Sequence, residues 1–150
     1  RYTGDINYVP VIATGPWWIE LGGVKVGNTV VARHKIDTII DSGSTGFAAP
    51  PKQLVAIAKA VGAMKTQDGD YTIDCKSPGP AISFTFGGKQ YAIQKADYAS
   101  AGKDGKCYLN VGDAGDELWI LGSTFMQKVY TVFDFGTKTT GPRVGFAQAV

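Results

Sequence analysis

An aspartate follows directly on the mostly apolar run Ile36–Ile40 and opens the hexapeptide Asp41–Gly46, which carries three hydroxyl side chains. Hydroxyls and free backbone N–H groups are the partners that a partly buried carboxylate needs to stay ionised. The hexapeptide is therefore a candidate site for a functional carboxylate. Taken alone, Asp-Ser-Gly is also a common turn sequence, in which the aspartate bonds its own backbone and glycine supplies a positive φ.

The two cysteines, Cys75 and Cys107, are too few for a metal cluster, and the one histidine, His34, lies far from both in sequence. A disulfide is the favoured interpretation, and two unpaired buried thiols are the alternative. Closing a loop of about 33 residues would stabilise the fold by roughly 3 to 4 kcal/mol and would indicate an oxidising compartment. We expect His34, between Arg33 and Lys35, to be a solvated loop residue rather than a base.

The elements that must position these residues are expected to be mostly strands. β-Branched, aromatic and glycine residues are abundant, whereas glutamate occurs only twice, and this composition favours strands and turns over helices. One main helix is predicted from Pro51 to Gly62, because proline suits the first turn, apolar residues recur at the helical period, and Gly62 suits a left-handed cap. Short helical turns are predicted near Ala96–Ala99 and within Gly122–Lys128.

Strands are predicted where β-branched and aromatic residues stand between turn residues. No repeat or linker divides the chain, so a single domain is expected. The predicted strands are 6–12, 17–21, 24–26, 29–31, 36–40, 71–74, 82–86, 91–94, 106–111, 118–121, 129–135 and 143–146.

Composition excludes several classes of protein. In 150 residues, 44% are hydrophobic and 19% charged, with a net charge of +2, so neither a disordered chain nor a nucleic-acid-binding surface is indicated. No apolar run approaches the roughly 20 residues that span a bilayer, and the N-terminus does not resemble a signal peptide. We expect a soluble chain without nucleic-acid or membrane partners, either mature or cut from a longer protein.

The sequence Ile39-Ile40-Asp41-Ser42-Gly43-Ser44-Thr45 resembles the active-site motif of the pepsin-like aspartic proteases, family A1. Other segments fall in that family's order. Residues 6–11 and 17–19 resemble the opening strands of its C-terminal lobe, Cys75 and Cys107 match the lobe's disulfide, and 117–122, 130–134 and 144–147 resemble its closing signature. The resemblance covers residues 1–150 and implies an all-β lobe of twisted antiparallel sheets with one main helix and one or two short helical turns.

The resemblance implies that Asp41 is the catalytic aspartate of the C-terminal lobe, one of two that share a water molecule across the interlobe cleft. Two carboxyls a few ångströms apart do not both ionise cheaply, so the pair would hold one proton at acid pH. One aspartate would act as general base toward water and the other as general acid toward the peptide carbonyl. The implied activity is an acid-acting endopeptidase that cleaves polypeptides near hydrophobic residues, is inhibited by pepstatin-like compounds, and needs no metal or organic cofactor.

The resemblance also implies supporting roles around Asp41. Ser42, which replaces the family's commoner threonine, would make crossed hydroxyl-to-backbone bonds between two active-site loops. Gly43 would allow close approach of loops and substrate, and Ser44 would hydrogen-bond the outer carboxylate oxygen. Further loop support is implied for Thr45, Leu121 and Gly122, the last two completing a crossed, ψ-shaped structure.

Apolar walls of substrate subsites are expected at four positions, with ordinary core packing as the alternative for each. Asp134, which also follows an apolar strand, is expected to have a structural role rather than to be a second catalytic carboxylate. The four expected subsite residues are Trp17, Ile39, Val111 and Ile120.

One departure from the family limits these expectations. No second hydrophobic-Asp-Thr/Ser-Gly motif occurs, so the N-terminal lobe, with the other catalytic aspartate and the flap tyrosine, is missing. A lone aspartate is half of a dyad, and we expect the isolated chain to be inactive. The partner is expected to be an N-terminal lobe on a second chain of a two-chain enzyme; a fragment and a homodimer are the alternatives.

Two other functions are also consistent with the sequence. The same fold could serve as a catalytically silent binding protein or pseudo-protease lobe, since the discriminating residues lie in the missing lobe. An extracellular β-sandwich binding domain is a more distant alternative, in which Asp41 would be dispensable. For an aspartic protease with a disulfide, secretion or a vacuolar or lysosomal location is expected.

Overall fold

Fourteen strands and three helices make up the computed structural model, which describes residues 1–150. The strands are β1 (Tyr2–Pro10), β2 (Trp18–Val26), β3 (Thr29–Ile40), β4 (Phe47–Ala49), β5 (Met64–Lys65), β6 (Tyr71–Ile73), β7 (Ile82–Phe86), β8 (Lys89–Ile93), β9 (Ala99–Ala101), β10 (Cys107–Leu109), β11 (Val111–Asp113), β12 (Trp119–Leu121), β13 (Val129–Asp134) and β14 (Arg143–Ala149). The helices are α1 (Pro51–Val61), α2 (Lys95–Tyr98) and α3 (Ser123–Met126).

The strands form three sheets. A seven-stranded sheet has the order β11-β4-β12-β3-β2-β7-β8, a four-stranded sheet the order β5-β6-β10-β9, and a three-stranded sheet the order β1-β14-β13. All strand pairs are antiparallel except β11 with β4 and β12 with β3, which are parallel. The predicted all-β class, with one main helix and two short ones, is confirmed. None of the helices is long and apolar enough to cross a membrane.

Helix α1 begins and ends where the sequence predicts. Pro51 occupies its first turn, and Gly62 follows it in the left-handed conformation with φ 78° and ψ 23°. The buried positions recur three or four residues apart, so one face of the helix packs against the sheet. These buried residues are Leu54, Ile57, Ala58 and Val61.

Strands β2 and β3 are longer than predicted. At the positions where the sequence suggests that a strand ends, the strand is only irregular and its pairing continues beyond them. The predicted strands 17–21 and 24–26 merge into β2, and 29–31 and 36–40 merge into β3. The register shifts between Leu21 and Gly23, and His34 and Lys35 adopt positive φ angles of 55° and 32°. His34 is exposed, but it lies in this irregular part of a strand rather than in a loop.

The core joins the seven-stranded and three-stranded sheets. Phe125 of α3 is fully buried and makes edge-on contacts with Phe84, Phe86 and Phe146 at ring-centroid distances between 5.5 and 5.9 Å. Phe84 and Phe86 belong to β7, whereas Phe146 belongs to β14. Helix α3 is therefore fixed where the two sheets meet.

The Cys75–Cys107 disulfide predicted from the sequence is confirmed, with the two Cα atoms 5.2 Å apart. The alternative of two unpaired thiols is wrong. Several short strands were missed, namely β4, β5 and β9, and the single strand predicted at 106–111 is interrupted at Asn110. The Asn110 carbonyl instead accepts a hydrogen bond from the Phe47 N–H at the start of β4.

Candidate active site

Asp41 follows the last residue of β3, in the middle of the seven-stranded sheet. Strand β12 lies between β3 and β4, parallel to the first and antiparallel to the second. Leu121 pairs with Ile40 on one side and with Phe47 on the other, and its carbonyl accepts the Asp41 N–H at 3.0 Å. The two ends of the hexapeptide that bears Asp41 are therefore held apart by one strand.

Asp41 is a half-buried residue whose carboxylate is open to solvent, and each carboxylate oxygen has a donor within the same loop. The Gly43 N–H donates to Oδ1 at 2.9 Å, and the Ser44 hydroxyl donates to Oδ2 at 2.6 Å. The Ser44 bond, followed by the Gly43 bond, holds the pKa of Asp41 below its usual value of 3.8, against a smaller opposing effect of burial. The side chain is thus kept ionised into the acid range, as a proton acceptor requires.

Gly122 lies where no side chain fits. Its N–H donates to the Gly46 carbonyl at 3.0 Å. A Cβ built on it would collide with the Ser44 carbonyl oxygen and would lie 2.5 Å from that of Gly46. At Gly43, by contrast, a Cβ would lie 3.2 Å from Oδ1 of Asp41, a tight contact rather than a collision. Close approach of β12 to the Asp41 loop therefore depends on Gly122.

Two residues that the sequence analysis missed, Ser123 and Thr124, hold the same loop. Both hydroxyls donate to the Thr45 carbonyl, at 2.6 and 3.0 Å, and the Ser123 N–H donates to the Ser44 carbonyl at 2.7 Å. The available signal was a pair of hydroxyl residues directly after Leu121-Gly122. Ser42 is exposed. The bonds expected between its hydroxyl and the backbone of a second active-site loop stay a prediction.

A groove of about 700 Å³ opens beside the Asp41 loop. Two of the four expected subsite residues, Val111 and Ile120, line it and are half-buried. Its walls combine the Asp41 loop with apolar side chains of four strands, β4, β10, β11 and β12. The lining residues are Gly43, Ser44, Thr45, Gly46, Phe47, Ala48, Leu109, Asn110, Val111, Gly112, Ile120 and Thr124.

The other two expected subsite residues are placed differently. Ile39 does not line the groove, but it is the register partner of Ile120 and so lies next to it on the same sheet face. Trp17 lines a second groove of about 510 Å³. Its ring contacts those of Phe133 and Phe135 at 5.0 and 5.2 Å between centroids. Trp17 reaches the Asp41 region only through its carbonyl, which accepts the Ile40 N–H at 3.2 Å.

The carboxylate of Asp134 is engaged by partners of its own. It forms an ion pair with Arg143 at 2.7 Å and accepts the Gly136 N–H at 2.7 Å. Arg143 and then the Gly136 N–H hold the pKa of Asp134 below its usual value. Since β13 and β14 form part of the three-stranded sheet, this carboxylate links two strands of that sheet, which agrees with the structural role expected for it.

The chain is similar to known proteins over nearly its whole length. Cathepsin D of Clupea harengus is 36% identical over 159 aligned positions, which cover 99% of the chain and 39% of the relative. Cathepsin E of Rattus norvegicus is 33% identical, with 100% of the chain and 39% of the relative covered, and pepsin A of Sus scrofa is 33% identical, with 93% and 38% covered. The chain thus spans about two fifths of the length of these curated relatives. Residues 1–149 match the family described as eukaryotic aspartyl protease, and the chain belongs to that family.

Proposed function

We propose that the chain is the C-terminal lobe of a two-lobed aspartic endopeptidase and that Asp41 is the catalytic carboxylate of this lobe. One observation carries the proposal: Asp41 has a depressed pKa and is held by the Gly43 N–H and the Ser44 hydroxyl, and both of these residues line a groove with polar and apolar walls. A carboxylate has about four acceptor positions, and only two are used within the chain. The others are free to bind water or to face a second carboxyl.

In the proposed mechanism, Asp41 and an aspartate of the N-terminal lobe share one proton and one water molecule. The ionised carboxyl removes a proton from the water as it attacks the peptide carbonyl, and the protonated carboxyl donates to the carbonyl oxygen. A shared proton is favoured at acid pH, because ionising the second of two adjacent carboxyls costs free energy. No covalent intermediate, metal ion or organic cofactor takes part.

The proposed substrates are polypeptides with hydrophobic residues near the cleaved bond. Val111 and Ile120 supply apolar surface within the groove, and Ile39 extends that surface along the sheet. Backbone groups of the Asp41 loop line the same groove and are suited to bind the backbone of an extended peptide. Trp17 lines the second groove. It would therefore contact a bound peptide or a pepstatin-like inhibitor only where that ligand extends beyond the first groove.

The proposed partner is an N-terminal lobe, on a second chain or on the same longer chain. The 150 residues contain only one motif of the Asp-Ser/Thr-Gly type, so the second carboxyl of the dyad must come from elsewhere. We therefore infer that the chain alone is inactive. The disulfide fits an oxidising secretory route, and we propose that the enzyme is secreted or resides in a vacuole or lysosome.

A peptidase assay at acid pH tests the proposal. The complete two-lobed enzyme is expected to cleave a polypeptide substrate and to be inhibited by pepstatin, whereas the 150-residue chain is expected to show no turnover. Asp41→Asn in the complete enzyme should reduce kcat by at least about a thousandfold and leave the circular dichroism spectrum unchanged. Pepstatin-sensitive turnover by the chain alone, in proportion to its concentration, would refute the half-dyad proposal.

Intact mass measurement and N-terminal sequencing of native material supply the second test. A companion chain or a continuous larger protein that contains the other aspartate motif supports the two-lobed enzyme. The contrary result has two parts: native material consists of this chain alone, and its Asp41→Asn variant still cleaves peptides. Together they would show that Asp41 has no part in the mechanism.

A further inference from the structure

The carbonyl oxygen of Thr45 receives three hydrogen bonds from two consecutive residues of α3. The Ser123 hydroxyl donates at 2.6 Å, the Thr124 hydroxyl at 3.0 Å and the Thr124 N–H at 3.0 Å. A carbonyl oxygen has two lone pairs, so this one has more donors than it needs. Neither hydroxyl is required to satisfy the backbone N–H groups of the helix, because those groups have carbonyl partners of their own.

The neighbouring carbonyls of the loop are bound in the same way. The Ser44 carbonyl accepts the Ser123 N–H at 2.7 Å, and the Gly46 carbonyl accepts the Gly122 N–H at 3.0 Å. Three consecutive carbonyls, 44 to 46, are thus held by residues 122–124. The two hydroxyl bonds add to the middle one, which belongs to the Thr45–Gly46 peptide group, one residue beyond Ser44.

The Ser44 hydroxyl donates to Oδ2 of Asp41 at 2.6 Å. A bond this short depends on the position of the Ser44 backbone, since a shift of a few tenths of an ångström weakens it. The hydroxyls of Ser123 and Thr124 donate to the Thr45 carbonyl and not to the side chain of Asp41 or Ser44. They act on the Thr45–Gly46 peptide group, which continues the backbone from Ser44.

We propose that Ser123 and Thr124 are positioning residues, whose hydroxyls clamp the Thr45 carbonyl and thereby keep the Ser44 hydroxyl on Asp41. This inference rests on the proposed function, in which Asp41 is one of the two catalytic carboxyls. Thr124 is 8% exposed and its hydroxyl bond is partly buried, whereas Thr45 is exposed and the Ser123 bond is open to solvent, so the Thr124 hydroxyl is the better protected of the two from competition by water. Helix α3 transmits the rigidity of the core to the loop, because its Phe125 is fully buried among aromatic rings.

The experiment compares variants of the complete two-lobed enzyme by the pH dependence of kcat and KM. In Ser123→Ala/Thr124→Val, the loop is held by backbone bonds alone, and the Ser44 hydroxyl bond to Asp41 weakens. We expect kcat to fall by about tenfold, the scale of one lost hydrogen bond to a charged group, with KM changed by less than about twofold. The acid limb of kcat should move to higher pH, because weakening that bond raises the pKa of Asp41.

Two further variants separate positioning from a general effect on folding. Thr124→Ser keeps the hydroxyl and is expected to recover the acid limb that Thr124→Val displaces. Thr131→Val removes a comparable hydroxyl, which donates to the Val129 carbonyl at 2.9 Å in β13, and should leave the pH profile unchanged. A displaced acid limb in Thr131→Val, or none in the double variant, would overturn the proposal.

The remaining outcomes are also decisive. If the double variant does not fold, Ser123→Ala alone decides, and an acid limb identical to that of the unmodified enzyme refutes the clamp. Asp41→Asn is measured in parallel. If Asp41→Asn is inactive and the clamp variants behave as the unmodified enzyme, only the positioning role fails, whereas an active Asp41→Asn shows that the proposed function itself has failed.

Discussion

The backbone N–H of Asp41 donates to the carbonyl of Leu121 at 3.0 Å, which ties the end of β3 to a strand formed much later in the chain. The same strand, β12, separates β3 from β4 and leads into the residues that hold the carbonyls of the Asp41 loop. The loop that bears the carboxylate is therefore held by one segment that is distant in sequence, residues 121–124. Changes in β12 and α3 should therefore affect the site as well as changes in the loop itself.

Gly122→Ala is predicted to destabilise the chain severely. The new methyl group would collide with the Ser44 carbonyl, and both that carbonyl and the one at Gly46 belong to a backbone that is already bonded to residues 122–124. Because backbone atoms cannot move aside as a flexible side chain does, we expect a loss of at least about 3 kcal/mol in the free energy of unfolding. Urea unfolding followed by tryptophan fluorescence measures it.

Gly112→Ala is the matched control for Gly122→Ala. Gly112 lies in the edge strand β11, and the nearest atom to a Cβ there is the Ala48 Cβ at 4.0 Å. Its free energy of unfolding should remain within about 0.5 kcal/mol of the parent value. Equal losses in the two variants would show that the tight crossing at Gly122 is not what makes alanine unfavourable there.

Ser44→Ala is predicted to make stability less dependent on pH in the acid range. The folded pKa of Asp41 is lowered, mainly by Ser44, so the ionised side chain stabilises the fold above the unfolded pKa of 3.8, and this contribution is lost as pH falls through the folded pKa. Because the carboxylate is open to solvent, the difference between parent and variant should be at most about 1 kcal/mol near pH 6, and it should shrink toward about pH 2.

Ser100→Ala provides the control for the pH effect of Ser44→Ala. The Ser100 hydroxyl donates to the amide oxygen of Asn110 at 2.9 Å, and an amide does not titrate in this range. Its effect on the free energy of unfolding should be the same at both pH values. A Ser44→Ala difference that is equally constant would show that the Ser44 hydroxyl does not favour the ionised form of Asp41.

Asp134→Asn is predicted to leave peptidase activity of the complete enzyme intact. Its carboxylate is engaged by Arg143 and by the Gly136 N–H, and it links β13 to β14 rather than facing the groove beside Asp41. The variant should lose stability mainly above the unfolded pKa, since the folded pKa of Asp134 is lowered. A fall in kcat as large as that of Asp41→Asn would instead place Asp134 in the catalytic machinery.

Features set by local sequence were predictable. Pro51 and Gly62 mark the ends of α1, because proline fixes φ and glycine tolerates the left-handed conformation. The hexapeptide after Ile40 has the internal donors that its hydroxyl and glycine residues indicate. These features depend on residues within a few positions of one another, so the sequence contains the information directly.

Features set by distant contacts were not predictable in the same way. The irregular segment around His34 reads as a break between strands, yet pairing with β2 holds both halves in one strand. The position of the Trp17 ring is determined by contacts with Phe133 and Phe135, which are distant in sequence, and its role at a subsite stays a prediction. Ser123 and Thr124 acquire their importance only when β12 brings them beside Thr45, a contact that no local pattern reveals.

Replacing both cysteines by alanine is predicted to lower the free energy of unfolding by roughly 3 to 4 kcal/mol, because the bond closes a loop of sequence separation 32 and so restricts the unfolded chain. The folded structure should persist, since β10 is also paired with β6 and β9 and the Lys95 ammonium donates to the Asp74 and Ser77 carbonyls of the same loop. Cys75 is exposed and Cys107 buried, so removing both avoids leaving a buried thiol unpaired.

Urea unfolding with and without a reductant measures the effect of the disulfide on the free energy of unfolding. The reductant should bring the parent close to the variant and leave the variant unchanged. A parent insensitive to complete reduction would mean that the remaining contacts of β10 and Lys95, and not the covalent link, determine the stability of this region.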